Sequence, residues 1–95
     1  MENSHKLYIL VDKTLTPSQQ AVQACHAAIE FALKYPEWKH QSLVILGVKG
    51  EQELIEWWNK VAHHETSGFF ESYYDRFTAV ACHGCDEEVK SLNLL

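Results

Sequence analysis

Hydrophobic and polar positions divide this chain into alternating strand-like and helix-like stretches. Lys6–Asp12 (KLYILVD) is a nearly continuous apolar run with branched residues, the pattern of a strand covered on both faces. Pro17–Leu33 carries a helical period with Val22, Cys25, Ile29 and Ala32 or Leu33 as its inner stripe. Its start is well marked: Thr16 fits the N-cap, Pro17 the first helical position and Gln19 the third, a capping box with a proline where proline is tolerated. Tyr35-Pro36 ends that helix, because a residue before proline resists the helical conformation. After a loop over Pro36–Ser42, Leu43–Val48 (LVILGV) reads as a second buried strand.

Gly50 opens a second helix whose first turn holds Glu51 and Glu53, favourable at the positive end of the helix dipole. Leu54, Trp57 or Trp58, and Val61 form its inner stripe, and His63-His64 and Gly68 close it. Phe69-Phe70 is a short strand and Phe77–Cys82 a longer one; the turn Ser72–Arg76 between them is short enough for an antiparallel pair. A polar tail follows, and Leu92-Asn93-Leu94-Leu95 tucks an apolar end onto the sheet.

This order predicts a single α/β domain over residues 1–95: a three-layer α/β/α arrangement around a mixed, mostly parallel four-stranded sheet. The helical crossover makes Lys6–Asp12 and Leu43–Val48 parallel central neighbours, and the last hairpin adds an antiparallel strand. In such a sheet, ligands bind beyond the carboxyl ends of parallel strands, here Asp12–Ser18 and Val48–Glu51.

Composition narrows the function classes. The 95 residues, 46% hydrophobic and 22% charged, suit one soluble globule, and no apolar stretch reaches the length of a membrane span. The polar start Met-Glu-Asn-Ser-His-Lys does not resemble a secretory leader. Three cysteines exclude a complete disulfide framework, and together these features point to a reducing, cytosolic compartment. Eight basic against thirteen acidic residues give a net charge of −5, with Arg76 as the single arginine. That balance counts against a nucleic-acid binder, whose affinity comes largely from phosphate contacts, but a local patch from Lys6, Lys13, Lys34 and Lys39 stays open.

Several side chains carry candidate chemistry. Gln23 and His26 stand three apart on one helix face, among the small residues Ala21, Ala24, Cys25, Ala27 and Ala28. Either His26 positions a water or ligand with Gln23 beside it, or both are structural groups where the helix meets the sheet. Cys82-His83-Gly84-Cys85 has the look of a metal knuckle, but zinc needs four ligands and no second pair of that kind follows, so no metal is expected. His63-His64 are explained as cations at a helix carboxyl end. Trp38, Trp57, Trp58, Tyr73 and Tyr74 belong to the core or to a partner surface rather than to base stacking, since few cations accompany them.

The chain resembles the type-II peptidyl-tRNA hydrolases, the archaeal and eukaryotic kind. The resemblance lies in LYILVDKTLTPSQQAVQACHAA, with Gln23, His26 and Ala27 matching the family's Gln-x-x-His-Ala, in Thr78-Ala79-Val80 of the last strand, and in the acidic segment and leucine-rich close. The family's lysines at the start of the first helix fall on Pro17 and Gln19, and Phe69–Arg76 replaces its segment before the last strand. The resemblance implies hydrolysis of the ester between peptide and tRNA, without cofactor, by a homodimer. Ester hydrolysis needs a base to activate water and donors for the oxyanion. On this reading Asp75 serves as base, Thr78 as donor and His26 as a positioning group. Lys13, Ser18, Gln19, Gln23 and Glu71 contact substrate, Lys13 offsetting phosphate charge. The alternative is a non-catalytic member of the fold, a protein-interaction or small-ligand-binding domain that lost the basic tRNA surface.

Overall fold

The computed structural model describes residues 6–39 and 42–95. His40 and Gln41 of the expected loop, and all of the polar start except Lys6, lie outside the described residues. The elements run β1 (Lys6–Asp12), α1 (Pro17–Lys34), β2 (Ser42–Val48), α2 (Gly50–Val61), β3 (Glu65–Glu71), β4 (Arg76–His83) and α3 (Asp86–Val89). Thr16 caps α1 as expected, its hydroxyl accepting from the backbone N–H of Gln19 at 3.3 Å. Two elements differ from the sequence reading. The Phe69-Phe70 strand extends back to Glu65, and Asp86–Val89, read as a polar tail, forms a turn of helix anchored by buried Val89.

The four strands form one mixed sheet in the order β2-β1-β4-β3. β1 and β2 are parallel, as the crossover through α1 requires. β1–β4 and β4–β3 are antiparallel, so one pair is parallel where mostly parallel pairing was expected. The reason lies in the final hairpin: β3 runs in the direction of β1, but β4 folds back and inserts between them. β1 is therefore central and β2 lies at the edge, not at the centre. The carboxyl end of the chain lines that edge, with Gly47 N–H donating to Asn93 O at 3.2 Å and Leu95 N–H to Ile45 O at 3.0 Å. The apolar end does tuck against the sheet, and it blunts the edge by supplying partners to it.

Alternate residues of β1 feed two cores, as a strand with cover on both faces must. Leu7, Ile9 and Val11 pack with Ala24, Ala27 and Phe31 of α1 and with Ala79 and Ala81. Tyr8 and Leu10 pack with Leu46, Val48, Val80 and Cys82, with Leu54 and Val61 of α2, and with Val89 of α3. Helices thus lie on both faces of the sheet, which fits α/β/α layering. Trp58 partly buries itself in the second core, and its indole N–H donates to Thr66 Oγ1 at 3.1 Å. Its ring lies against Gly68, where any Cβ would fall inside contact distance of three indole carbons.

The inner stripe of α1 is a correction. Val22, Ile29 and Leu33 are 45%, 57% and 72% exposed, and Cys25 is exposed as well. The buried face is Gln23, Ala24, Ala27 and Phe31. Successive helical residues point about 100° apart, so exchanging Val22 for Gln23 turns the whole helix by that angle. Small residues allow close approach to the sheet, and a polar side chain at the contact selects this rotation, as the site below explains. Val22, Ile29 and Leu33 are left as an apolar stripe on the outer face of α1, and Leu43 of β2 is half-exposed as well.

Candidate active site

The carboxyl end of β1, the start of β4, the end of β3 and the first turns of α1 and α2 meet at one end of the sheet. Polar groups collect there because every one of these elements begins or ends at that edge.

Gln23 stands at the centre. It is almost fully buried, and its side-chain amide is used at both atoms. Thr78 Oγ1 donates to Gln23 Oε1 at 2.6 Å, and Gln23 Nε2 donates to Glu71 Oε1 at 3.0 Å. Glu71 also accepts from the Tyr73 backbone N–H at 3.2 Å. The Gln23 amide first, then the Tyr73 N–H and the nearby His26, hold the Glu71 carboxyl below its usual range. His26 is half-buried and stacks on Phe69, ring centroids 4.3 Å apart and planes 6° from parallel. Gln23, His26, Glu71 and Thr78, named from the sequence, are therefore neighbours.

Thr78 owes its orientation to an irregularity in the sheet. Phe69 pairs with Ala79 and Phe70 with Phe77, which leaves Thr78 as the extra residue on β4. Strict alternation would place Thr78 on the same face as Val80, toward α2. The bulge turns it to the α1 side, onto Gln23, and turns Phe77 toward Trp58 instead, ring centroids 5.1 Å apart.

The other named residues are not part of this network. Asp75 sits exposed at the tip of the β3–β4 turn in the left-handed region, φ 56°, with its N–H donating to Ser72 O at 3.2 Å. Lys13 lays its side chain beside Gly47 of β2, and its carbonyl accepts from Gln20 Nε2 at 3.1 Å. Gln19 spends its backbone N–H on the Thr16 cap, and Ser18 is exposed on the first turn of α1.

Asp12, at the head of the stretch expected to meet ligands, and Arg76, the single arginine, are not among the candidate site residues of the sequence. Asp12 is completely buried. Its Oδ1 accepts from the Thr14 backbone N–H at 2.9 Å, the Thr14 hydroxyl at 2.6 Å and the Gly50 N–H at 3.0 Å. One oxygen thus shapes the β1–α1 turn and caps α2, whose own N-cap, Lys49, supplies no side-chain bond. The other oxygen faces Arg76 Nη2 at 3.3 Å. Arg76 is also the backbone partner of Glu71 across the hairpin, while its guanidinium is turned to Asp12. Neither Asp12 Oδ2 nor buried Arg76 Nε has a hydrogen-bond partner among the described residues. The readable signal was a carboxylate ending a strand whose run Leu7–Val11 is apolar and buried. Glu51 completes the rim by accepting from the Phe77 N–H at 2.9 Å.

The cysteine pair lies elsewhere, in the α2-side core. Cys82 and Cys85 are free, buried thiols, and a hydrogen bond between them together with burial pushes the Cys82 thiol well above the usual thiol range. A group held in the thiol form is a poor nucleophile and a poor metal ligand.

Chemically, the end of the sheet offers an ionised carboxylate, a half-exposed imidazole, a cation and a fixed amide. No helix among the described residues is long and apolar enough to cross a membrane. Compared with known proteins, the chain matches no protein-family model and no curated protein.

Proposed function

We propose that this chain is an ester hydrolase of the peptidyl-tRNA hydrolase kind, acting on the bond between peptide and tRNA in the cytosol. The observation that carries this reading is the hydrogen-bonded line Thr78–Gln23–Glu71, which joins two of the residues matched to the family's motifs with a carboxylate placed beside His26. In this reading His26 takes the proton of the attacking water, because its imidazole is half-exposed and stacked in one orientation. Ionised Glu71 stabilises the imidazolium that results. Gln23, locked at both ends, keeps the carboxylate in place, and Thr78 is a positioning residue rather than a free oxyanion donor. Arg76, the backbone partner of Glu71 across the hairpin, meets the substrate phosphate in place of Lys13. Asp75 at the turn tip contacts the tRNA end of the substrate.

The test is release of peptide from purified peptidyl-tRNA. Wild-type protein should turn over, and His26→Ala should lose most of kcat with little change in stability. Absence of turnover by folded wild-type protein, with no salt-sensitive tRNA binding, sinks the reading.

The homodimer belongs to the same reading. The exposed stripe of Val22, Ile29 and Leu33 on α1 is the apolar surface that a second copy would cover. A monomeric mass in light scattering at high protein concentration removes that part. The second reading, a binding domain without catalysis, is favoured by the pairing of Arg76 with buried Asp12, which commits the single arginine to a structural partner in a chain with net charge −5.

A further inference from the structure

Across the sheet from Gln23, on the α2 side, a second cluster has no part in the reading above. His63 and His64 follow the carboxyl end of α2, and Glu88 lies in α3. Both imidazoles reach the same carboxylate oxygen: His63 Nε2 lies 3.1 Å and His64 Nε2 2.8 Å from Glu88 Oε2. The three ligand atoms all lie within 4.8 Å of one another. Adjacent residues rarely aim side chains at one point, since they diverge by about 100° in a helix and by about 180° in a strand. Here the passage from α2 into β3 brings both rings to one side, with centroids 4.0 Å apart.

The geometry points to a divalent transition-metal site formed by His63 Nε2, His64 Nε2 and Glu88 Oε2. Zinc bonds of about 2.0–2.1 Å in a tetrahedron separate neighbouring ligand atoms by about 3.3 Å, close to the 3.1 and 2.8 Å that part the two imidazoles from Glu88. Two imidazoles and one carboxylate select zinc, copper, nickel or cobalt over calcium and magnesium, which take oxygen ligands. The supports are rigid. Val61 on one side, and Cys85 and Val89 on the other, are buried in one core cluster and pin the segments that carry the ligands. Gly84, at φ +89°, turns the chain from β4 toward α3, and its lack of a side chain leaves room beside His64 Nδ1. His63 is largely exposed, so a fourth position faces solvent and takes water. A metal here would clip α3 to the end of α2 and thereby brace the last segment of the chain.

The experiment is calorimetric titration of ZnCl2 into untagged protein carrying Cys25→Ser, which removes the exposed thiol as a competing ligand. One zinc per chain and a rise of the melting temperature with zinc are expected. Glu88→Gln keeps the side-chain shape and should weaken zinc by at least about tenfold, the loss that even altering the partner of a ligand causes. His64→Ala should do the same. The melting temperature of each variant without metal separates loss of binding from loss of fold. Cobalt in place of zinc should give the weak visible bands of nitrogen and oxygen ligands without a sulfur charge-transfer band. Absence of saturable binding overturns the site. So does zinc bound equally well by folded Glu88→Gln, or a cobalt spectrum showing thiolate.

Discussion

The Thr78 hydroxyl and the Gln23 side-chain carbonyl, 55 residues apart in sequence, form a buried hydrogen bond of 2.6 Å that fixes both the rotation of α1 and the bulge in β4. Gln23 turned inward requires Val22 and Ile29 turned outward. Thr78 turned toward α1 requires an extra residue in the β3–β4 ladder. Each feature supplies the buried partner that the other needs.

Breaking this bond should be costly from either end. Thr78→Val leaves Gln23 Oε1 buried without a donor and should cost about 1–3 kcal/mol in urea denaturation. Gln23→Leu leaves the Thr78 hydroxyl unpartnered and should cost a similar amount. The double variant should cost less than the sum of the two, because a pair of apolar groups has no orphaned atom. Additive losses would show that the bond does not couple the two residues.

The same amide governs the protonation of Glu71. A carboxyl whose pKa is lowered by folding stabilises the fold above its ordinary pKa, and that stability is lost as pH falls through the lowered value. Gln23→Leu removes the largest cause, so the Glu71 pKa, followed by the NMR shift of its side-chain carboxyl carbon, should rise toward the usual range. No movement would show that the Tyr73 N–H and His26 suffice to hold it.

Tyr8 acts at the other end of the pH scale. Burial first, then its hydrogen bond to Asp86 at 3.0 Å and the charge of that residue, push the Tyr8 phenol up from 10.0 to about 12. The unfolded chain then loses this proton before the folded one does. Stability from Tyr8 is complete below pH 10 and falls as pH rises from there toward 12. Tyr8→Phe should flatten that alkaline decline in denaturation midpoints taken across the range. An unchanged slope would assign the decline to other groups.

Asp12 holds three donors and faces Arg76. Asp12→Ala would strip the cap from α2 and leave Arg76 without its counter-charge, with an expected loss of roughly 3–5 kcal/mol. Asp12→Asn keeps an acceptor for the Gly50 N–H and loses the charge, so it should cost less, about 1–2 kcal/mol. Equal losses would mean that the charge contributes most and the cap little.

Gly68 is required by the indole ring lying against it. Gly68→Ala should cost about 1–3 kcal/mol through overpacking. In a Trp58→Leu background, which removes the ring, the same change should cost markedly less. Failure of that rescue would place the strain in the β3 backbone instead.

The amino-acid order alone determined the local elements and two pairings, the parallel one of β1 with β2 and the antiparallel one across the β3–β4 hairpin. A run of apolar residues from Leu7 to Val11 needs cover on both faces, Thr16-Pro17 starts a helix, and the crossover through α1 makes β1 and β2 parallel; these are local or short-range constraints. It also singled out Gln23, His26 and Thr78 and suggested Glu71. Only the tertiary structure decided the order of strands, because placing β4 between β1 and β3 depends on which hairpin edge meets β1. It decided the inward face of α1, where hydrophobicity favoured Val22 and Ile29 but the Gln23 bonds to Thr78 and Glu71 selected a rotation about 100° away. And it decided that Asp12 and Arg76, 64 positions apart, share a charge pair, and that two adjacent histidines reach one glutamate across a helix end. Period and composition record what a residue wants; which distant group answers it is settled only when the chain closes on itself.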